Sequence, residues 1–140
     1  MAYDRALYQL YLSKIPMFST CTTEQLDFVA EHGQAVSAED GHDIVTEGEA
    51  GDGFYVITSG SATVRRGGKE MATLEVGDYF GELSLFDPAP RSATITAVGT
   101  LSCVKLTKAD FTQVLDKVPA LRDALLHGMA HRIHLLDQRI

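Results

Sequence analysis

No apolar run in this 140-residue chain approaches the roughly 20 residues that a membrane-spanning helix requires. The opening MAYDRALYQL has no apolar core of the kind a secretion signal carries. Cysteine is scarce. Cys21 and Cys103 sit in Thr-rich or apolar company without metal-ligand spacing, and they read as two thiols of a reducing cytoplasm rather than a disulfide. Positive charge is also short, with 12 Lys and Arg against 19 Asp and Glu and a net charge of −7. A domain that binds phosphate backbones is normally basic, so direct nucleic-acid binding is disfavoured. A small anion is still admitted, because one local base and a few backbone dipoles suffice to hold it. Repeats, low-complexity tracts and linkers are missing as well. The expectation is one acidic cytoplasmic domain over residues 1–140, long enough for a single core.

What is there changes texture twice. Apolar residues recur at helical spacing from Tyr3 to about Leu12 and from Thr23 to about His32. The second of these has Thr22 or Thr23 as N-cap, an early Glu24, and Gly33 as its stop. From Gln34 to Leu106 the pattern turns strand-like, with β-branched and aromatic stretches such as GFYVITSG, SATVRR and SATITAV. Glycine turns (EDGHD, EGEAGDG, SGS, RRGGKE, EVGD) interrupt it about every eight to twelve residues. Beyond Thr107 the helical period returns, with a Thr cap on TKADFTQVLDKV and Pro119 opening a last amphipathic helix. Helices over 1–33, about eight short strands over 34–106 and helices over 107–140 predict an α+β, mainly β fold. The architecture expected is an eight-stranded β-roll or jelly-roll barrel with helical flanks.

The chemistry concentrates in GDYFGELSLFDPAPRSATITA, from Gly77 to Ala97. Gly81 lets the backbone approach a ligand, and the N–H groups from Gly81 to Leu83 open a short turn that suits an anion. Arg91, beyond Pro88 and Pro90, offers a guanidinium for a bidentate phosphate contact, with the Ser92 hydroxyl and N–H beside it. Glu82 only accepts hydrogen bonds, so it repels a phosphate but suits a sugar 2′-hydroxyl. Acceptor, cation and N–H nest together match a ribose carrying a phosphate. On these two residues alone, a Glu82–Arg91 surface ion pair of little energetic value is an equal reading.

The stretch resembles the phosphate-binding cassette of the cyclic-nucleotide-binding domain family, with FGELSL at Phe80 to Leu85 and PRSATITA at Pro90 to Ala97. Upstream, IVTEGEAGDGFYVITSGSATV from Ile44 to Val64 is similar to the same family's signature, and the flanking helices extend the likeness over nearly the whole chain. The resemblance implies that Glu82 binds the ribose 2′-hydroxyl and Arg91 the exocyclic phosphate oxygens. It implies that Gly81, Leu83, Ser92 and Ala93 give N–H groups or a hydroxyl to the phosphate, with Ser84 in the same binding segment. Met71 and Leu74 are then apolar walls for ribose or purine, and ordinary core packing is the stronger reading for Leu74. Cyclic AMP is the preferred ligand, and cyclic GMP is admitted because a hydroxyl after the cassette arginine suits a guanine amino group. No catalytic residue, resident cofactor or metal is expected.

The C-terminal LLHGMAHRIHLLDQRI is similar to the helix that follows the barrel in bacterial cyclic-AMP-responsive regulators. There a side chain lids the purine, and Arg132 takes the matching place, although a solvated charge is an equal reading. Leu136 and Asp137 stand where those regulators place hydroxyl residues, a departure that bears on base selectivity and on contact between subunits. His131 and His134 have no third ligand in view and read as a solvated pair. The mechanism expected is a sensor: ligand shifts the last helix from out to in and signals to an unidentified effector, with a homodimer through that helix compatible with the pattern. Two alternatives compete. One is a degenerate domain kept for protein contacts, which Glu82 and Arg91 argue against. The other is a metal-dependent cupin-type enzyme, which wants histidines on the strands where only His42 occurs, in a turn. Whether the chain is a stand-alone receptor or a piece of a larger protein is left open.

Overall fold

The structure, a computed structural model, describes residues 10–51, 53–81 and 90–136, with side chains as far as His131. A 3-10 turn at Pro16–Phe18 leads to helix α1 (Thr23–His32). Thr22 caps α1 with a full capping box: its hydroxyl accepts from the Gln25 N–H at 3.1 Å, and the Gln25 side chain accepts from the Thr22 N–H at 2.9 Å. Gly33 ends the helix, as the sequence predicts.

Six strands follow among the described residues: β1 (Gln34–Ala38), β2 (Asp43–Val45), β3 (Gly53–Arg66), β4 (Lys69–Leu74), β5 (Tyr79–Phe80) and β6 (Thr94–Thr107). Helices α2 (Lys108–Lys117) and α3 (Pro119–Leu136) close the chain, α2 capped by Thr107, whose hydroxyl accepts from the Asp110 N–H.

The count of six corrects the eight expected. SGS was read as a turn between strands, but Ser59, Gly60 and Ser61 lie inside the 14-residue β3, and Gly99 lies inside the 14-residue β6. The register between the two strands slips at Ser59 and Ser61, so the sheet bends there without ending. Gly60 has φ +84°, and a Cβ at that position would collide with the Thr100 carbonyl oxygen. Only glycine fits where one strand crosses the bend of the other.

These two strands pair antiparallel from Gly53 opposite Thr107 to Arg65 opposite Thr94. β1 and β2 add to β6, while β4 and β5 add to β3. Alternation along β3 sorts side chains between two cores. Phe54 and Val56 face the helices, where they join Leu12, Ile15, Phe18, Val29, Phe111, Val114, Leu121 and Leu125. Tyr55 and Ile57 face the other way, with Ala62, Phe80, Ile95, Ala97, Leu101 and Cys103. The helices therefore cover one face of the sheet, and β5 delivers the candidate site to the other.

Candidate functional site

Arg91 is the centre of the arrangement. It is buried, only 8% exposed. Its backbone is clamped at both ends: its N–H donates to the Glu49 carbonyl at 2.7 Å, and its own carbonyl accepts from the Gly48 N–H at 2.9 Å. Pro90 forms a bridge to Ala50. The loop between β2 and β3 thus fixes where the arginine enters.

The guanidinium then reaches inward. Nη2 donates to the Gly53 carbonyl at 2.9 Å, and the guanidinium carbon lies 5.7 Å from the centroid of the Tyr55 ring. Tyr55 is held in turn by Phe80, its cross-strand partner, with ring centroids 4.8 Å apart and planes within 7°. On the far side of Tyr55, its other cross-strand partner Lys105 places its ammonium 5.6 Å from the same ring.

Gly81 completes the contact. It takes φ +91°, and a Cβ there would run into the Gly53 carbonyl oxygen and stand 2.7 Å from Arg91 Nη1. A side chain at position 81 would therefore displace the guanidinium. Sequence reasoning paired Gly81 with Arg91, and the fold puts them in direct contact. Ser92 is exposed and Ala93 half-buried, immediately beyond the arginine. The Ser92 carbonyl accepts from Arg66 Nε at 3.0 Å. The Glu47 carboxylate accepts from the Gly67 N–H at 2.9 Å and the Glu47 N–H donates to the Thr94 hydroxyl at 2.9 Å, which ties this return path to the β3–β4 turn.

The remaining expected residues divide. Leu74 is half-buried against the inner core, whereas Met71 stands 53% exposed on β4. Glu82, Leu83 and Ser84 lie outside the described residues, as does the side chain of Arg132 on α3. Sequence reasoning assigned no role to Gly53, Tyr55, Phe80 or Lys105. GFYVITSG reads as an aromatic-rich, strand-like stretch, and strand alternation separates Phe54, toward the helices, from Tyr55, toward the site.

His42 is exposed in the turn before β2. Among the described residues no group of three or more His, Cys, Asp or Glu side chains is placed to hold a metal ion, and no helix is long and apolar enough to cross a membrane. Both cysteines are free; burial pushes the Cys103 thiol up to about 12 and raises that of Cys21 as well.

Comparisons with known proteins bear on the fold as a whole. The family profile described as "Cyclic nucleotide-binding domain" matches residues 35–118. A cAMP-dependent protein kinase regulatory subunit of Mucor circinelloides f. lusitanicus is 37% identical over 118 residues, 81% of this chain and 28% of that protein. The chain spans less than a third of the length of that relative. Among solved structures, the regulatory domain of Toxoplasma gondii PKA, crystallised with cAMP, superposes with a TM-score of 0.78 at 28% identity, over 91% of this chain and 50% of that one. The regulatory subunit of a cAMP-independent protein kinase A from Trypanosoma brucei superposes with a TM-score of 0.79 at 26% identity, over 89% of this chain and 45% of that one.

Proposed function

The chain belongs to the cyclic nucleotide-binding domain family, and from that premise we propose that it is a regulatory domain that binds cyclic AMP and signals through movement of α3. The observation that carries this reading is the contact between Arg91 and Gly81. A buried guanidinium, anchored on the Gly53 carbonyl and Tyr55, lies against the glycine that follows Phe80 in the cassette. Charge-assisted bonds from such a group to an anionic phosphate are strong because little water competes.

In this reading Arg91 takes the exocyclic phosphate oxygens, and Gly81, Leu83, Ser92 and Ala93 add N–H groups or a hydroxyl. Glu82 accepts from the ribose 2′-hydroxyl, with Ser84 in the same segment. Leu74 and Met71 wall the sugar or purine, and Arg132 stacks on the base. No bond is made or broken, so the domain is a sensor and not a catalyst.

A path from ligand to helix is available. Gly81 follows Tyr79 and Phe80 on β5; Tyr79 packs on Phe54, with ring centroids 5.7 Å apart, and its hydroxyl abuts Gly128 in α3. A ligand that pulls on Gly81 therefore pulls on a strand that touches the helix. Binding biases α3 between two positions, and an effector protein or domain, or a second copy meeting α3, reads the difference.

Calorimetric titration with cyclic AMP and cyclic GMP tests the reading. Saturable binding of cyclic AMP, tighter than that of cyclic GMP, is the expected result. Tighter cyclic GMP binding overturns the choice of base. No binding of either at millimolar ligand overturns the sensor and favours a domain kept for protein contacts.

A further inference from the structure

Phe80, Tyr55 and Lys105 form a row across three paired strands, Phe80 opposite Tyr55 and Tyr55 opposite Lys105. Directly paired residues project from the same face of a sheet, so Lys105 shares the face that carries the arginine site. The row is built to admit it. A Cβ at Gly53 would lie 2.8 Å from Lys105 Cε and 3.2 Å from its Cγ, so the missing side chain at Gly53 leaves the groove that the lysine stem fills. The same Gly53 supplies the carbonyl that accepts from Arg91. One glycine thus seats two cations, and both stand within 6 Å of the Tyr55 ring centroid.

We infer that Lys105 supplies a second positive charge to the anion site, holding Tyr55 behind Arg91 and raising the preference of the site for a negatively charged ligand. The inference rests on reading this site as a cyclic-nucleotide pocket. An anion bound beside Arg91 on this face is also attracted by the Lys105 ammonium, which stands 5.6 Å from the centroid of the ring that Arg91 packs against. Because Lys105 is half-buried, its field is screened less than that of a surface lysine. Lys105 is a positioning residue that acts through Tyr55 and through charge. A lysine that merely lays its stem over the ring would act through packing alone.

The two roles separate by substitution. Lys105→Met keeps the stem and removes the charge, and Lys105→Arg keeps the charge. Cyclic AMP is titrated calorimetrically into each protein at several salt concentrations, with a thermal melt of each, and Lys105→Gln serves as a second neutral variant should the first fail to fold. Lys105→Met is expected to weaken binding by roughly threefold to tenfold, the scale of one partly screened charge. Its affinity should also depend less steeply on salt, whereas Lys105→Arg stays within about twofold of wild type. If the neutral variants bind within about twofold of wild type with an unchanged salt slope, Lys105 only packs and the inference falls alone. If wild type itself binds no cyclic nucleotide, the reading of the whole site falls and takes this inference with it.

Discussion

The hydroxyl of Tyr79 lies so close to the backbone of α3 that a methyl group on Gly128 would stand 2.5 Å from it. The next atom of the tyrosine, Cζ, is 3.8 Å from that methyl position, an ordinary contact. The sign of one substitution therefore depends on one oxygen atom. Alanine in a helix interior is favoured over glycine by about 1 kcal/mol. Overpacking a fixed contact costs about 1–3 kcal/mol, and Tyr79 is fixed by Phe54. Gly128→Ala should therefore lower the melting temperature of the wild-type protein. In a Tyr79→Phe background, where the oxygen is gone, the same change should raise it. Thermal melts of the four proteins decide it, and a destabilisation of equal size in both backgrounds would remove Tyr79 as the cause.

Arg91 makes a second test. Arg91→Lys keeps the charge but cannot hold the Gly53 carbonyl and meet a phosphate with a planar fork at once. Affinity for cyclic AMP should fall at least tenfold, about 1.4 kcal/mol. Arg91→Ala should fall further, by several kcal/mol, because a desolvated phosphate loses its cation. Calorimetry reads both. A loss below tenfold for the alanine variant is incompatible with a phosphate site at Arg91.

Base preference turns on Ser92. Its carbonyl is held by Arg66 while the residue itself is exposed, so its hydroxyl can be removed without disturbing the path of the chain. Wild type and Ser92→Ala are titrated with cyclic AMP and cyclic GMP. A parallel loss for both ligands is the expected outcome and assigns the hydroxyl to the phosphate. Selective loss of cyclic GMP assigns it to the purine.

Cys103 predicts an alkaline limit to stability. Burial pushes its folded-state value up to about 12 from an ordinary 9.0, so the folded protein keeps a proton that the unfolded chain releases. The stabilisation is complete below pH 9 and is lost as pH rises toward 12. Chemical denaturation between pH 8 and about pH 11 should show a steeper loss for wild type than for Cys103→Ala. In native protein a thiol reagent should find Cys21, which is half-exposed, and reach Cys103 only on unfolding. Equal labelling of both thiols would show that the inner core opens.

Features fixed by neighbours in sequence were readable. The Thr22 and Thr107 caps need only the next three residues, and the Gly81 and Arg91 pair sits inside one motif. Features fixed across the fold were not. SGS looks like a turn because its residues prefer turns, yet pairing with β6 carries the strand through it, and pairing partners are absent from a local pattern. Gly53 meets Arg91 from 38 residues away, so nothing near GDGF marks it as an arginine anchor. Gly128 has no local reason in its helix; the reason is Tyr79, 49 residues earlier in the chain, whose hydroxyl stands against it.

The pairing of β3 with β6 also governs how the domain assembles. Arg65 meets Thr94 only after the whole intervening chain has been gathered into a loop, and that loop contains both Gly81 and Arg91. Closing it costs chain entropy before any ladder bond repays the loss, so the step is slow compared with the formation of the helices. A nascent chain therefore has no site until β6 has been made and paired with β3. A ligand that binds only the finished site cannot speed its making, and acts by holding shut a loop that has already closed.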